Sequence, residues 1–284
     1  VKIVETIEAM RLEVAAERSA DRSVGFVPTM GALHDGHLSL VDAANKSTDV
    51  VVVSIFVNPL QFGPSEDFAT YPRDEGADLD RLARTGVDIV FLPEVEDMYP
   101  DGRSTSIDVG ELGELMEGAI RPGHFAGVAT VVTKLFNIVR PDVAFFGRKD
   151  AQQLAVIRRV VTDLSLPVEV RSCPTVRDSD GLALSSRNVR LSPEERSRAT
   201  ALFGALTAGA RVLSEERNVA ASEKTMREVL GAAGIDPDYA AVVDPETFQP
   251  PAGRGPALLA VAARVGTTRL IDNLLLDHDL NAEE

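Results

Sequence analysis

The sequence predicts an α/β protein, a doubly wound parallel sheet followed by a smaller C-terminal α+β domain, and three observations predict it. Val24 to Val27, Val50 to Val57 and Asp142 to Phe146 are short, nearly unbroken apolar runs rich in β-branched or aromatic residues, as in strands covered on both faces. Stretches with helical spacing separate such runs, so right-handed strand–helix–strand units are expected. After a last strand at Pro167 to Arg171 the alternation stops, and two helical stretches lead into three apolar runs. The expected division is a Rossmann-like domain over 1–174 and a smaller domain over 175–284.

Taken in order, residues 5–18 set Ile7, Met10, Leu12 and Val14 among charges, which reads as an amphipathic helix. The first strand is Val24 to Val27. The chain then breaks into Pro28-Thr29-Met30-Gly31-Ala32-Leu33-His34-Asp35-Gly36-His37 and resumes as a helix to about Lys46, before the second strand at Val50. Asn58 to Pro72 holds three prolines, a glycine and no period. A loop of that length in a compact domain is usually functional, and a lid is expected. A helix over 73–85 and a strand over 88–92 follow, then a mixed stretch to Gly123. Phe125 to Val139 is a helix with Val128, Val131, Val132, Leu135 and Ile138 on its apolar side. The strand at Asp142 leads through Gly147-Arg148-Lys149-Asp150 into a helix ending near Thr162.

In the second domain, Ser192-Pro193-Glu194-Glu195 supplies an N-cap serine, a proline at the first helical position and a glutamate at the third, a capping box. That leaves Ser185, Ser186 and Arg187 in a polar loop with no local structural duty, although a solvated hinge would look the same. Helices are expected to Leu213 and over 220–233, then strands at Tyr239 to Val243, Leu258 to Val265 and Leu270 to Leu276. The acidic tail, 277–284, is expected to fray.

Forty-four acidic against twenty-nine basic residues give a net charge of −15, which disfavours extended nucleic-acid binding. A small anion can still bind where cations and amides gather, because screening confines the bulk field to about 8 Å at physiological salt. No apolar run is long enough to span a bilayer as a helix, and Val1 to Glu5 lacks the layout of a signal peptide, so no membrane partner is expected. A first residue other than Met suggests trimming. The single cysteine, Cys173, excludes an internal disulfide and a multi-cysteine metal site, and a cytoplasmic location is the expectation.

The chemistry concentrates at strand-to-helix junctions, where α/β proteins bind phosphate. His34 and His37 are three apart, beside the unpartnered N–H groups of a first helical turn, and both can donate to one anion. The alternative is a glycine turn whose histidines only cap the helix. Asn58 and Gln61 follow the second strand on the same sheet edge, where their amides can orient a substrate or merely tie the loop to itself. Lys149 follows a further strand, placed to pair with phosphates or simply exposed at a helix start.

Histidine-x-glycine-histidine after the first strand, with Ser185-Ser186-Arg187 beyond the sheet, resembles the HIGH-motif nucleotidylyl-transferase superfamily. Five longer stretches, centred on residues 28–37, 56–62, 121–128, 145–153 and 185–188, resemble the pantothenate synthetase (pantoate–β-alanine ligase) family, in order and at matching separations. Gly266-Thr267-Thr268-Arg269-Leu270-Ile271-Asp272-Asn273 matches as well. The resemblance implies ligation of pantoate and β-alanine through a pantoyl adenylate, with magnesium-bound ATP consumed to AMP and pyrophosphate.

It further implies that Met30, Gly31, His34, His37, Gly147, Arg148, Lys149, Asp150, Val176, Leu184, Ser185, Ser186 and Arg187 bind ATP. Among these His37, His34, Lys149 and Arg187 are the catalytic set, with His37 the proton donor. Gln61, Gln153, Asn58 and His124 form the substrate site, and the smaller domain closes over the ATP. The magnesium ligands stay open among Asp67, Asp74 and Asp150, and a homodimer is implied. Two positions depart from the family pattern: Arg148 stands where an acidic residue is usual, and Ala151 where an aromatic is. A related transferase with a phosphorylated acceptor would need cations in place of Gln61 and Gln153. A tRNA-charging enzyme is disfavoured by the charge, and a non-catalytic ATP-binding protein would share the fold.

Overall fold

The computed structural model describes residues 1–64, 68–252 and 255–276. It divides into two compact units, one of Val1–Arg148 and Val156–Pro174, the other of Lys149–Ala155 and Thr175–Glu284.

The first unit is a six-stranded sheet in which every pairing is parallel. Its strands are β1 (Lys2–Val4), β2 (Val24–Thr29), β3 (Val50–Ile55), β4 (Ile89–Phe91), β5 (Val143–Gly147) and β6 (Glu169–Cys173), in spatial order β1-β4-β3-β2-β5-β6. The connecting helices are α1 (Ile7–Ser19), α2 (Asp35–Asn45), α3 (Glu75–Leu82), α4 (Val95–Met98), α5 (Glu117–Ile120), α6 (His124–Val139) and α7 (Ala151–Asp163). Phe26, Val27, Val51, Val52, Val53 and Phe145 are wholly or almost wholly buried, as expected of strands covered on both faces. Because the chain leaves β2 for β3 on one side and later returns to place β5 on the other, the carboxyl ends of β2 and β5 form a topological switch point. Ligands of open α/β sheets bind there.

The second unit packs α8 (Pro193–Ala199), α9 (Ala201–Glu216) and α10 (Val219–Ala232) with an antiparallel sheet of β7 (Pro237–Val243), β8 (Ala257–Val265) and β9 (Thr268–Leu276), in that order. Ala257, Leu259, Val261, Ala263 and Val265, alternate residues of β8, join Leu202, Leu206, Leu213, Met226 and Leu230 in one core.

The expected fold class therefore holds, and four details differ. Strand β1 has only three residues, too few for a periodic signal, yet it pairs in parallel with β4 from Lys2 opposite Ile89. Leu12 faces outward at 65% exposure, and Met10 and Val14 alone of α1 are fully buried. The mixed stretch after Glu94 contains α4 and α5, kept short by Pro100, Gly102, Gly110 and Gly113. The helix opened by Ser192 ends at Ala199, where the Thr200 hydroxyl donates back to the Ser197 carbonyl at 2.8 Å, an alternative to regular helix bonding. Its capping box is present as expected, Ser192 with Glu195. Among the described residues no helix is long and apolar enough to cross a membrane.

Candidate active site

The turn after β2 is shaped by a carboxylate that the sequence reading did not single out. Asp78 of α3, 3% exposed, accepts the Ala32 N–H at 2.8 Å on one oxygen and the Leu33 N–H at 2.7 Å on the other. Gly31 (φ 79°) and Ala32 (φ 49°) both lie in the left-handed region, and a Cβ on Gly31 would sit 3.0 Å from Asp78 Oδ2, so glycine suits the first position. Burial pushes the Asp78 carboxyl pKa up, against the pull of the two N–H groups. The signal was present: Asp78 lies one turn before buried Leu82, an acid on the apolar side of its helix.

His34 and His37 open α2 as a capping box. His34 Nδ1 accepts the Gly36 N–H at 3.1 Å, and His37 Nδ1 accepts the His34 N–H at 3.3 Å. An accepting Nδ1 carries no proton, so in the neutral rings the proton sits on Nε2. With ring centroids 4.1 Å apart and planes inclined by 35°, the pair carries two Nε2–H donors at a helix N-terminus. The two sequence alternatives are thus compatible: the histidines cap the helix through one nitrogen and keep a donor on the other.

Asn58 and Gln61 belong to the turn at Pro59–Gln61 after β3, and both are buried. Asn58 Oδ1 accepts from Leu60 N at 3.2 Å and from the Tyr99 hydroxyl at 2.8 Å. Its Nδ2 donates to the Gly127 carbonyl and to Gln61 Oε1, both at 3.1 Å. These partners fix the amide's orientation, because Leu60 N–H only donates and the Gly127 carbonyl only accepts. It follows that Gln61 turns its oxygen to Asn58 and its Nε2 toward Met30, whose sulfur lies 3.0 Å away. All four hydrogen-bonding positions of Asn58 are used within the chain. One of these bonds holds the Gln61 amide oxygen, so Asn58 orients the Gln61 side chain.

His124 also bonds to Gln61. Its Nδ1 donates to the Gln61 carbonyl at 2.8 Å, so its Nε2 accepts from Arg121 at 3.0 Å, and Arg121 also reaches the Gln61 carbonyl at 3.3 Å. Helix α6 can approach this closely because residue 127 is glycine: a Cβ there would lie 2.2 Å from the Leu60 carbonyl oxygen. Tyr99, unnoticed in the sequence, is held neutral by burial, which pushes its pKa up.

At the end of β5, Gly147 and Arg148 stand at the other side of the switch point. Arg148 Nε lies 3.4 Å from Ser172 Oγ on β6.

In the second unit, Lys149 Nζ is 3.6 Å from Asp150 Oδ1, and Gln153 lies in the first turn of α7. Val176 and Leu184 face each other in a hairpin, where the Leu184 N–H donates to the Val176 carbonyl at 3.0 Å. Ser185 does have a structural duty, contrary to expectation: it caps the short helical turn Ser186–Arg190 by accepting the Arg187 N–H at 3.2 Å. Ser186 and Arg187 begin that turn.

Among the described residues no group of three or more His, Cys, Asp or Glu gathers to hold a metal. Magnesium in nucleotide sites is usually held by phosphates, water and one or two carboxylates, so a single carboxylate fits that group. Asp150 is partly exposed and suits it; Asp74 caps α3 through the Ala77 N–H at 3.0 Å, and Asp67 lies outside the described residues.

Comparison with known proteins gives a consistent result. A model of the family described as pantoate-beta-alanine ligase matches residues 2–275. Pantothenate synthetase of Agrobacterium fabrum (strain C58) is 50% identical over 287 residues, covering 100% of this chain and 98% of the relative. That of Rhizorhabdus wittichii is 55% identical, covering 97% and 99%. The structure of pantothenate synthetase from Thermus thermophilus superposes with a TM-score of 0.91 at 50% identity, over 96% of this chain and 99% of that one. Pantoate-beta-alanine ligase from Francisella tularensis, complexed with beta-gamma ATP and beta-alanine, gives 0.80 at 34% identity, over 97% of each chain.

Proposed function

The chain belongs to the pantoate–β-alanine ligase family, and from that membership we propose how its residues divide the work. It is an ATP-dependent ligase that joins pantoate to β-alanine through an amide bond. In the proposed course the pantoate carboxylate attacks the α-phosphorus of ATP, pyrophosphate leaves, and the β-alanine amine then displaces AMP from the acyl carbon.

The observation that carries this reading is the pair of Nε2–H donors on His34 and His37 beside the switch point of the sheet. A carboxylate is already ionised at neutral pH, so adenylation needs no general base. It needs two anions held together and a place for the charge that develops on the leaving phosphates. The two histidines supply donors of the right kind, and Lys149 and Arg187 supply charge. Met30, Gly31, Gly147, Arg148, Asp150, Val176 and Leu184 to Ser186 are assigned to ATP on the motif.

Gln61 and Gln153 bind pantoate through their amides. Gln61 is the better defined: its orientation leaves a donor, which suits a carboxylate or hydroxyl oxygen. Asn58, His124 and Arg121 act through Gln61. Magnesium, when bound, neutralises phosphate charge, and Asp150 would hold it. A homodimer is proposed on the family resemblance, and a cytoplasmic location on the single buried thiol, Cys173.

The test is sequential. With ATP and pantoate alone the purified chain should release about one pyrophosphate per site in a burst, and β-alanine should then restore turnover with AMP and amide formed together. Pyrophosphate release that requires β-alanine from the start would overturn the order of steps.

A further inference from the structure

The stretch Gly266 to Asn273, which enters strand β9 at Thr268, matches the family pattern but has no part in the assignments above. Asn273 is 8% exposed, and its partners lie in the second unit. Its backbone groups are met by side chains: its N–H donates to Asp272 Oδ1 at 2.8 Å, and its carbonyl accepts from Arg177 Nη2 at 3.3 Å. Arg177 and Asp272 form a two-pronged pair at 2.6 and 2.9 Å, with the Asp272 side chain 3% exposed and the guanidinium 3.9 Å from the centre of the Phe203 ring. A planar pair of this kind is fixed in orientation as well as distance.

Held in this way, Asn273 donates from Nδ2 to the carbonyl of Lys149 at 2.8 Å. Lys149 lies in the one-turn segment Arg148–Asp150 between β5 and α7. Its neighbour Asp272 acts on a different segment. Through Arg177, whose Nη1 also donates to the Gly181 carbonyl at 3.1 Å, it braces the hairpin that contains Val176 and Leu184. Adjacent residues of one strand therefore hold two segments that the ATP motif uses.

We propose that Asn273 is a positioning residue for Lys149, fixing where the lysine stem begins so that its ammonium meets the departing phosphates. The proposal rests on the reading of Lys149 as a phosphate-neutralising cation. A lysine is a point charge on a flexible four-carbon stem, so its root must be set by something else. No part of the Asn273 side chain needs to touch the nucleotide.

Single-turnover pyrophosphate release from ATP and pantoate tests this with the full chain, Asn273→Asp, Lys149→Ala and the double variant. Asn273→Asp keeps the side-chain shape but cannot donate to a carbonyl. It should slow release by about 10- to 100-fold, the order expected for a catalytic group misplaced by ~1 Å, with the ATP concentration at half-maximal rate changed less than about threefold. In the Lys149→Ala background it should have no further effect, since the site of an absent ammonium no longer matters.

Wild-type rates for Asn273→Asp beside a slow Lys149→Ala overturn the proposal alone. A wild-type rate for Lys149→Ala overturns the reading of Lys149 itself. A double variant slower than Lys149→Ala by the full Asn273→Asp factor places the action of Asn273 elsewhere and also overturns the proposal.

Discussion

The amide nitrogen of Gln61 lies 3.0 Å from the sulfur of Met30, a weak acceptor, while its oxygen is held by Asn58 at 3.1 Å. The donor that faces the proposed pantoate position is thus presented but only loosely engaged. Removing it in Gln61→Ala should raise the pantoate KM by about 10- to 100-fold, the range for a hydrogen bond to a charged group, with ATP affinity little altered. An unchanged pantoate KM in steady-state kinetics would remove Gln61 from the substrate site.

The two nitrogens of each site histidine separate helix capping from phosphate contact. Asn at position 34 can still accept an N–H at the helix start but offers no imidazole donor, so His34→Asn should melt within a few degrees of the parent, about 1 kcal/mol or less apart. Its adenylation rate should nevertheless fall, and His37→Ala should lower that rate by about 10²- to 10³-fold, as for loss of one transition-state donor. Pyrophosphate release near the parent rate in both variants would assign the histidines to capping alone.

Asp78→Asn sets an NH₂ group against the Ala32 or Leu33 N–H, which should destabilise the fold by about 1–3 kcal/mol and weaken ATP binding. The pH dependence has a definite sign. Because burial raises the carboxyl pKa in the folded state, the stability this group contributes is complete below the unfolded value and is lost as pH rises through the folded one. The gap in urea midpoint between parent and variant should therefore narrow as pH rises from below the ordinary carboxylate range through the raised value. A gap that widens over that interval would mean that the two N–H bonds outweigh burial.

Gly127→Ala brings a methyl group 2.2 Å from the Leu60 carbonyl oxygen and 2.7 Å from the Gln61 nitrogen, both backbone atoms. The turn has to move, at about 1–3 kcal/mol in stability, and Gln61 moves with it. Thermal unfolding should show the first effect and pantoate KM the second. A variant with parental values of both would indicate that α6 and the turn can separate freely.

Much of the fold was legible because its strands are dense in valine and its helix starts carry their own punctuation, as at Ser192 and His34. Lys2 to Val4 was not, since three residues carry no period and the pairing partner, β4, lies far along the chain. The site divides in a similar way. Histidines and glutamines in motif spacing declare themselves, whereas Asp78, Tyr99 and Arg121 serve by holding other residues. Their value depends on contacts across tens of residues that no local window contains. Ser185 shows the opposite error: a residue that looks idle in the sequence is a cap once the following turn is seen.

The capping box at His34 and His37 also bears on which side chains evolution can place there. Lysine or arginine would bring more positive charge to the phosphates but has no atom that accepts an N–H, and aspartate or asparagine caps well without an imidazole donor. Imidazole joins both capacities in one rigid ring, with the accepting and donating atoms on separate sides. Selection for a firm helix start and selection for turnover therefore bear on the same two positions, and a replacement such as asparagine keeps the first while giving up the imidazole donor.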